Sequence, residues 1–294
     1  MLKIEKTAIS GWEAALRGMR NPKNSWNRSD TAYDTDSVPT IGPNDMQLMR
    51  TLIASGTDHR KFLRMIHVSM DVTAPLYWYK EFDVYRIGVT ENSCSTMHKI
   101  HSRDLARDDF STEHLMDSTF TGEIIPTSVF DGLVKCINQN RRNFVETKNK
   151  RFWWQMIQLL GTSFNQKRTI DINYEVLVRM YFARRDHKLD EWHTFCDWLL
   201  DLPYMKDILR ACLLITPNKF ASMSGFYVAM NSDGSWNIFD AEPTKVTDGW
   251  ISNASVKSRM TIPARVTRNF LYNGTWEKSL CKPVFSEDRL YEED

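Results

Sequence analysis

Two stretches concentrate the side chains able to do chemistry. The first, from His67 to Ile100, reads HVSMDVTAPLYWYKEFDVYRIGVTENSCSTMHKI. It sets one arginine, Arg86, just ahead of a close-packed polar block that includes Asn92, Cys94, Ser95 and His98. Amides and hydroxyls beside aromatic rings suit a flat polar ligand, because rings stack on its face and polar groups read its edge. An arginine fork adds a bidentate grip on a phosphate or a ring carbonyl. The second stretch places Asn173 and Arg184 eleven residues apart. On a helix that is close to three turns, so both point the same way about 16 Å apart. His187, Asp190, Glu191 and His193 follow at helical spacing.

Each of these residues also has a plainer reading. Asn173 reads equally as a helix N-cap. Arg184 reads as a helix-surface arginine paired with Glu191 or Asp186. The His/Asp/Glu run suits a metal ion or, more simply, a solvated salt-bridged face. His98 and His101 read as surface or satisfied core histidines. Cys94, in a polar block near Arg86 and His98, is a candidate nucleophile. Cys136, Cys196 and Cys212 fall in helical apolar patterns and read as buried packing.

The elements that must hold these residues follow from periodicity and punctuation. Residues 1–8 alternate as an edge strand, and Ser10 is placed to cap a short helix ending at Asn21-Pro22. A polar ordered loop fills 22–40. Asn44 is placed to cap a second helix, stopped by Gly56, with Met46, Met49 and Leu52/Ile53 on its core face. Residues 62–72 alternate as a strand. Thr73 then caps a helix with Pro75 in its first turn, carrying Trp78, Glu81/Phe82 and Tyr85 on one face. Residues 101–126 read as irregular with a short helical piece near 111–117. Helices follow over 127–148 and 149–160, the second stopped by Gly161. A loop, TSFNQKRTIDI, leads to a strong helix from Asn173, then to helices ending at Pro203 and Pro217. From about 222 strands alternate around the Asp233-Gly234 turn. The expected fold is α+β: a body over 1–220 of antiparallel sheet with packed helices, then a small β-rich appendage over 221–294.

Composition narrows the class. The chain has 294 residues, 42% hydrophobic, with a formal net charge of +1. That supports a large core and gives no sign of nucleic acid or an anionic membrane as a bulk partner. The five cysteines are widely spaced without a CxxC pair, which fits a reducing compartment rather than a disulfide framework. Charges interrupt every apolar run near the start, so no signal peptide is expected. The expectation is a soluble cytoplasmic protein.

Three segments, 67–100, 155–173 and 173–191, together resemble the flavin-dependent thymidylate synthases. In that family an Ala-Pro leads through an RHR triplet into an NExSxRY block. Here Ala74-Pro75 leads to Val84, Tyr85 and Arg86, and then, with one residue inserted, to Asn92, Ser93, Cys94, Ser95, Thr96, Met97 and His98. The family's Leu-Pro, then Asn, then Arg fall on Leu160-Gly161, Asn173 and Arg184, with both spacings kept. His187 and Glu191 stand where a His and a Glu usually follow. The resemblance covers about residues 5–210. It implies conversion of dUMP to dTMP, with methylenetetrahydrofolate as carbon donor and FAD, reduced by NADPH, as hydride source. It implies a homotetramer with FAD where subunits meet, and no cysteine nucleophile. By the same resemblance Arg86, Asn92, Asn173 and His187 contact the cofactor, while Arg86, Ser95 and Arg184 hold the nucleotide. Ser95 and Arg184 are then the residues closest to the chemistry. The departures are Val84 and Tyr85 in the triplet, Met97 and His98 in the block, and Ile157 at a position that is arginine in the family. Lys80, Lys99 and the Gln166-Lys167-Arg168 stretch are the nearby groups that can make up the missing contacts. The alternative reading is a diverged nucleotide- or flavin-binding protein that kept the fold and lost the methyl transfer.

Overall fold

The structure, a computed structural model, describes residues 2–33, 38–118 and 124–213, and five short strands between 227 and 262. In chain order the elements are β1 (Lys3–Ser10), α1 (Trp12–Arg20), α2 (Pro43–Ala54), β2 (His67–Pro75), α3 (Leu76–Phe82) and β3 (Val89–Ser93). There follow α4 (Pro126–Thr147), α5 (Lys150–Leu159), β4 (Asn165–Asn173), α6 (Tyr174–Arg184), α7 (Asp190–Leu200) and α8 (Met205–Leu213). The short strands are β5 (Tyr227–Met230), β6 (Trp236–Phe239), β7 (Pro243–Val246), β8 (Gly249–Ser252) and β9 (Met260–Ile262). The class is α+β. Two compact units divide the chain: Met1–Gly11 with Arg64–Leu199, and Trp12–Leu63 with Leu200–Asp294. A boundary near 220 lies outside the described residues. Among the described residues no helix is long and apolar enough to cross a membrane.

The first unit is built on an antiparallel sheet in the order β1-β2-β4-β3. Its strands alternate between two unlike faces, as the pleat requires. Val68, Met70, Val72 and Ala74 of β2 and Ile170 and Ile172 of β4 are buried. Against them lie buried residues of α3 (Trp78, Tyr79, Phe82), α6 (Leu177, Met180) and α7 (Trp192, Phe195). Trp78 is fully buried, with ring centroids 4.8 Å from Trp192, 5.0 Å from Phe82 and 5.8 Å from Phe195. The opposite face carries Ser69, Asp71, Lys167, Thr169 and Asp171, paired across β2 and β4 as Ser69↔Asp171 and Asp71↔Thr169. A satellite core of Ile100, Leu105, Phe110, Ile137 and Met156 sits between the α4–α5 hairpin and the segment after β3. The Asn138 amide secures it, donating to Leu105 O and accepting from Leu105 N, both at 2.8 Å.

The sequence expectations differ from this fold in several places. The stretch expected as a loop over 162–172 contains β4, a strand paired on both sides. Its inward positions include Gln166 and Arg168 as well as Ile170 and Ile172, so the alternation is masked by polar residues. Strand β2 runs on to Pro75, which takes the N-cap position of α3 in place of Thr73, and Tyr85 lies beyond the helix end. Gly42 rather than Asn44 precedes α2, with Pro43 at its first position, and the buried face is Asp45, Met49 and Ile53. The helical piece near 111–117 is replaced by a 3-10 turn at Arg107–Asp109. Ser10 ends β1. The turn after it needs glycine: Gly11 has φ +89°, and a Cβ there would stand 1.9 Å from Met65 O.

In the second unit, α1 and α2 are tied by a buried ion pair. Arg20 Nε lies 2.5 Å from Asp45 Oδ1, with both side chains essentially removed from solvent. The other carboxylate oxygen accepts from Ser29 Oγ (2.7 Å), Thr31 Oγ1 (2.6 Å) and the Asp30 and Thr31 N–H groups. Burial works to raise the Asp45 carboxyl pKa, and the Thr31, Ser29 and Arg20 bonds outweigh it, holding the group below its ordinary value. Further along, β5, β6 and β9 pair into one small sheet and β7 and β8 into another. The expected hairpin is present as β5 against β6, with its Asp233-Gly234 turn outside the described residues.

Candidate functional site

Glu81, in the last turn of α3, is the centre of a polar cluster at the edge of the aromatic core. Its Oε2 accepts from Arg184 Nη1 at 2.6 Å, His187 Nε2 at 2.9 Å and Trp192 Nε1 at 3.2 Å. Arg184 ends α6 and also donates from Nε to Tyr85 Oη at 3.1 Å. Its guanidinium carbon lies 4.8 Å from the Trp192 ring centroid and 5.6 Å from that of Tyr85. A flat cation between two rings and a carboxylate is held in one orientation. His187 Nδ1 accepts from Leu189 N at 3.1 Å, which fixes the tautomer with hydrogen on Nε2. Next to the cluster, Tyr77 Oη donates to Glu191. Burial first, and then the Glu191 carboxylate, push the Tyr77 phenol well above its ordinary pKa.

A second polar region lies on the open face of the sheet. A cavity of about 560 Å³ is lined by Thr90, Asn92 and Cys94 from the β3 segment and by Ser69, Lys167 and Asp171 from β2 and β4, among others. That volume is ordinary for a nucleotide-sized ligand. Asp171 is held on both oxygens, by His67 Nδ1 at 2.8 Å and Ser69 Oγ at 2.7 Å. Asp71 takes the Thr169 hydroxyl at 2.7 Å and Lys167 Nζ at 3.0 Å, and those two contacts hold its carboxyl below the usual range. Behind β3, Arg168 stacks 3.7 Å from the Tyr79 ring centroid, bonding Asp83 and Glu91 at 2.7 Å each and Gln166 at 2.9 Å. Both cations of the Gln166-Lys167-Arg168 stretch are therefore already paired with carboxylates.

The residues singled out in the sequence fall in different places. Arg184 and His187 meet, through Glu81, and neither Glu191 nor Asp186 is the partner of Arg184. Asn173 caps α6: its Oδ1 accepts from Val176 N at 3.1 Å, and its Nδ2 lies 3.5 Å from Gly88 O. Gly88 sits at φ +80°, and a Cβ there would stand 2.4 Å from that amide nitrogen. Arg86 is exposed, and its Nε donates to Asp83 O at 3.2 Å. Asn92 is exposed on the open face, opposite Thr169. Ser95 Oγ accepts from the N–H groups of Met97 (3.2 Å) and His98 (2.9 Å), which leaves its own hydrogen to donate. Among the described residues Ser95 and Arg184 share no hydrogen bond. Cys94 is exposed in the cavity wall. The His/Asp/Glu run does not gather: Glu191 serves Tyr77, and His193 lies 3.9 Å from Asp190. Among the described residues no three such groups converge as a metal site. Glu81 as the hub was not legible in advance. Its only signal was a carboxylate in an aromatic-rich helix, and its partner lies 103 residues away.

No family model matches this chain, and no curated protein sequence does. Among solved structures the chain is similar to a flavin-dependent thymidylate synthase of Helicobacter pylori complexed with FAD and dUMP. The identity is 16% and the TM-score 0.50, over 70% of this chain and 97% of that one. It is also aligned with a UMP/dUMP methylase of Streptomyces cacaoi bound with 5-Br dUMP, at 13% identity and TM-score 0.47, over 72% and 92% of the two chains. The α+β body has the fold of the flavin-dependent thymidylate synthases.

Proposed function

We propose that the chain is a nucleotide-binding flavoprotein that transfers a one-carbon unit to a pyrimidine nucleotide. The resemblance implies dUMP as substrate, dTMP as product, and methylenetetrahydrofolate and NADPH as co-substrates. The observation that carries the reading is Arg184, fixed by Glu81, Tyr85 and Trp192 on a fold that similar proteins use for such a ligand. Arg184 keeps its Nη2 donors for a ring carbonyl. Ser95 keeps a hydroxyl hydrogen for the same nucleotide. For the flavin, Arg86 and Asn92 fit: both are exposed, with donors to spare for a phosphate or a ring edge. Asn173 and His187 do not fit as direct contacts, because helix capping and Glu81 already engage them. We assign them to positioning, Asn173 at the start of α6 and His187 beside Arg184. When bound, the flavin supplies the hydride, and the protein binds, orients and excludes water. A homotetramer and a cytoplasmic setting belong to the same proposal.

Val84 and Tyr85, in place of two triplet residues, favour a second reading in which the fold binds a nucleotide or flavin without turnover. The visible spectrum of the desalted protein after addition of FAD separates the readings from failure of both. Retained flavin bands, with dTMP formed from dUMP in the complete mixture, support the enzyme. Retained bands without product support binding alone. A colourless protein that also ignores pyrimidine nucleotides overturns the proposal.

A further inference from the structure

The stretch after β3 carries Ser95 and has little buried surface of its own: Cys94, Ser95, Met97, His98 and Lys99 are all exposed. Order in such a segment rests on the hydrogen bonds made to its backbone. Its entry is fixed by β4. Cys94 N donates to Lys167 O at 2.9 Å, and the buried Gln166 amide donates to Cys94 O at 2.7 Å. Gln166 is held in turn by Arg168 Nε at 2.9 Å. The exit runs to Ile100, which is buried in the satellite core. Between these ends the chain turns over 96–98, and Ser95 Oγ accepts from Met97 N and His98 N. Among the described residues one side-chain hydrogen bond reaches this turn from outside. It comes from Trp153 of α5, whose Nε1 donates to Met97 O at 3.1 Å.

The two peptide groups that flank Met97 are therefore fixed by different elements. The N–H binds the Ser95 oxygen, and the carbonyl binds an indole 56 residues further on. With two N–H groups on its oxygen, the Ser95 hydroxyl has one direction left in which to donate, and that direction follows the turn. The Trp153 ring packs, partly buried, on the satellite core and meets the Trp154 ring edge-on at 4.8 Å. It is thus anchored independently of the loop, as a tether must be. A tryptophan N–H commonly finds some acceptor; what gives this one its consequence is that the acceptor belongs to the turn that aims Ser95. We propose that Trp153 is a positioning residue for Ser95. By holding Met97 O it keeps the turn in the form that directs the Ser95 hydroxyl to a ligand. The inference rests on Ser95 contacting the nucleotide, as in the proposed function. It gives the α4–α5 hairpin the task of aiming that contact.

The test is a double-mutant cycle on the full chain, read as the dUMP dissociation constant by calorimetry. Its members are the natural protein, Ser95→Ala, Trp153→Phe and the double variant. Trp153→Phe keeps a ring on the satellite core and removes the donor. It is expected to weaken dUMP binding about 3- to 10-fold, the worth of one hydrogen bond. In the Ser95→Ala background no hydroxyl is left to aim, so the same replacement is expected to change affinity by less than about twofold. A Trp153 that only packs would give equal losses in both backgrounds. Where Trp153→Phe does not fold, benzothienylalanine installed at position 153 takes its place, since it keeps the bicyclic shape and lacks the donor. Unchanged affinity on removing the donor, or equal losses in the two backgrounds, overturns the inference and leaves Ser95 as a nucleotide contact. If Ser95→Ala alone leaves dUMP affinity unchanged, or the natural chain does not bind dUMP, the reading beneath fails and the inference falls with it.

Discussion

Replacing Arg184 by alanine removes the cation on which the proposed ligand contacts depend. In the structure its guanidinium spends Nε on Tyr85 and one Nη1 hydrogen on Glu81, leaving Nη2 free for a ligand. A hydrogen bond to a charged group is worth about 1.5–3 kcal/mol. Loss of one such bond to a pyrimidine nucleotide lowers affinity about 10- to 150-fold. The fold is expected to survive, because Glu81 retains the His187 and Trp192 donors and is partly open to water. Calorimetric titration with dUMP measures the loss, and circular dichroism confirms the fold. Arg185→Ala is the control: Arg185 pairs with the exposed Asp186, and its loss is expected to leave affinity unchanged. A folded Arg184→Ala protein that binds dUMP within about threefold of the natural chain refutes the reasoning.

Other outcomes test the remaining assignments. Asn173→Ala is expected to cost about 1 kcal/mol in urea unfolding through the lost cap, with flavin retention unchanged. Asn92→Ala is expected to do the reverse, weakening FAD binding in a spectral titration at unchanged stability. Gly88→Ala forces a Cβ against Asn173 at positive φ and is expected to destabilise by about 1–3 kcal/mol in the same unfolding assay. Asp45→Ala leaves Arg20 buried without its partner and is expected to cost about 3–5 kcal/mol at neutral pH. Since the folded Asp45 carboxyl titrates below its unfolded value of about 3.9, its contribution is present above that value and disappears as pH falls through the folded pKa. Thermal melts against pH are therefore expected to converge for natural and Asp45→Ala proteins in acid.

Local rules made some elements readable and hid others. The α4–α5 hairpin was legible because Pro126 opens one helix and Gly161 closely follows the other. β4 was not, because Gln166 and Arg168 occupy inward positions that periodicity expects to be apolar. The Tyr79 ring and the Asp83 and Glu91 carboxylates, which explain an arginine there, come from other parts of the chain. In the candidate site the spacing of Asn173 and Arg184 matches the two ends of α6, Asn173 as its N-cap at the end of β4 and Arg184 as its last residue. The spacing held no information about Glu81, whose role depends on how α3 and α6 come together on one face of the sheet. Asn173 illustrates the opposite limit. Its position matched a family motif, while its local chemistry, a cap before an apolar helix, is what the structure employs.

The helix ends at this cluster have a further consequence. Arg184 closes α6, and Glu81 stands in the last turn of α3. Free carbonyls give a helix C-terminus partial negative charge, which favours the arginine and opposes the glutamate by about 0.3–1 kcal/mol each. Glu81 is thus kept against the preference of its own helix and held there by an arginine from α6, an imidazole from the loop that follows it and an indole from α7. Neutralising it returns to α3 part of what is lost with Arg184, so melting temperature is a poor witness to this residue. Variants of the chain selected only for heat resistance would be free to drift away from glutamate at 81. Variants selected for ligand would not, and a divergence between the two selections at this one position would mark it as maintained for recognition rather than for folding.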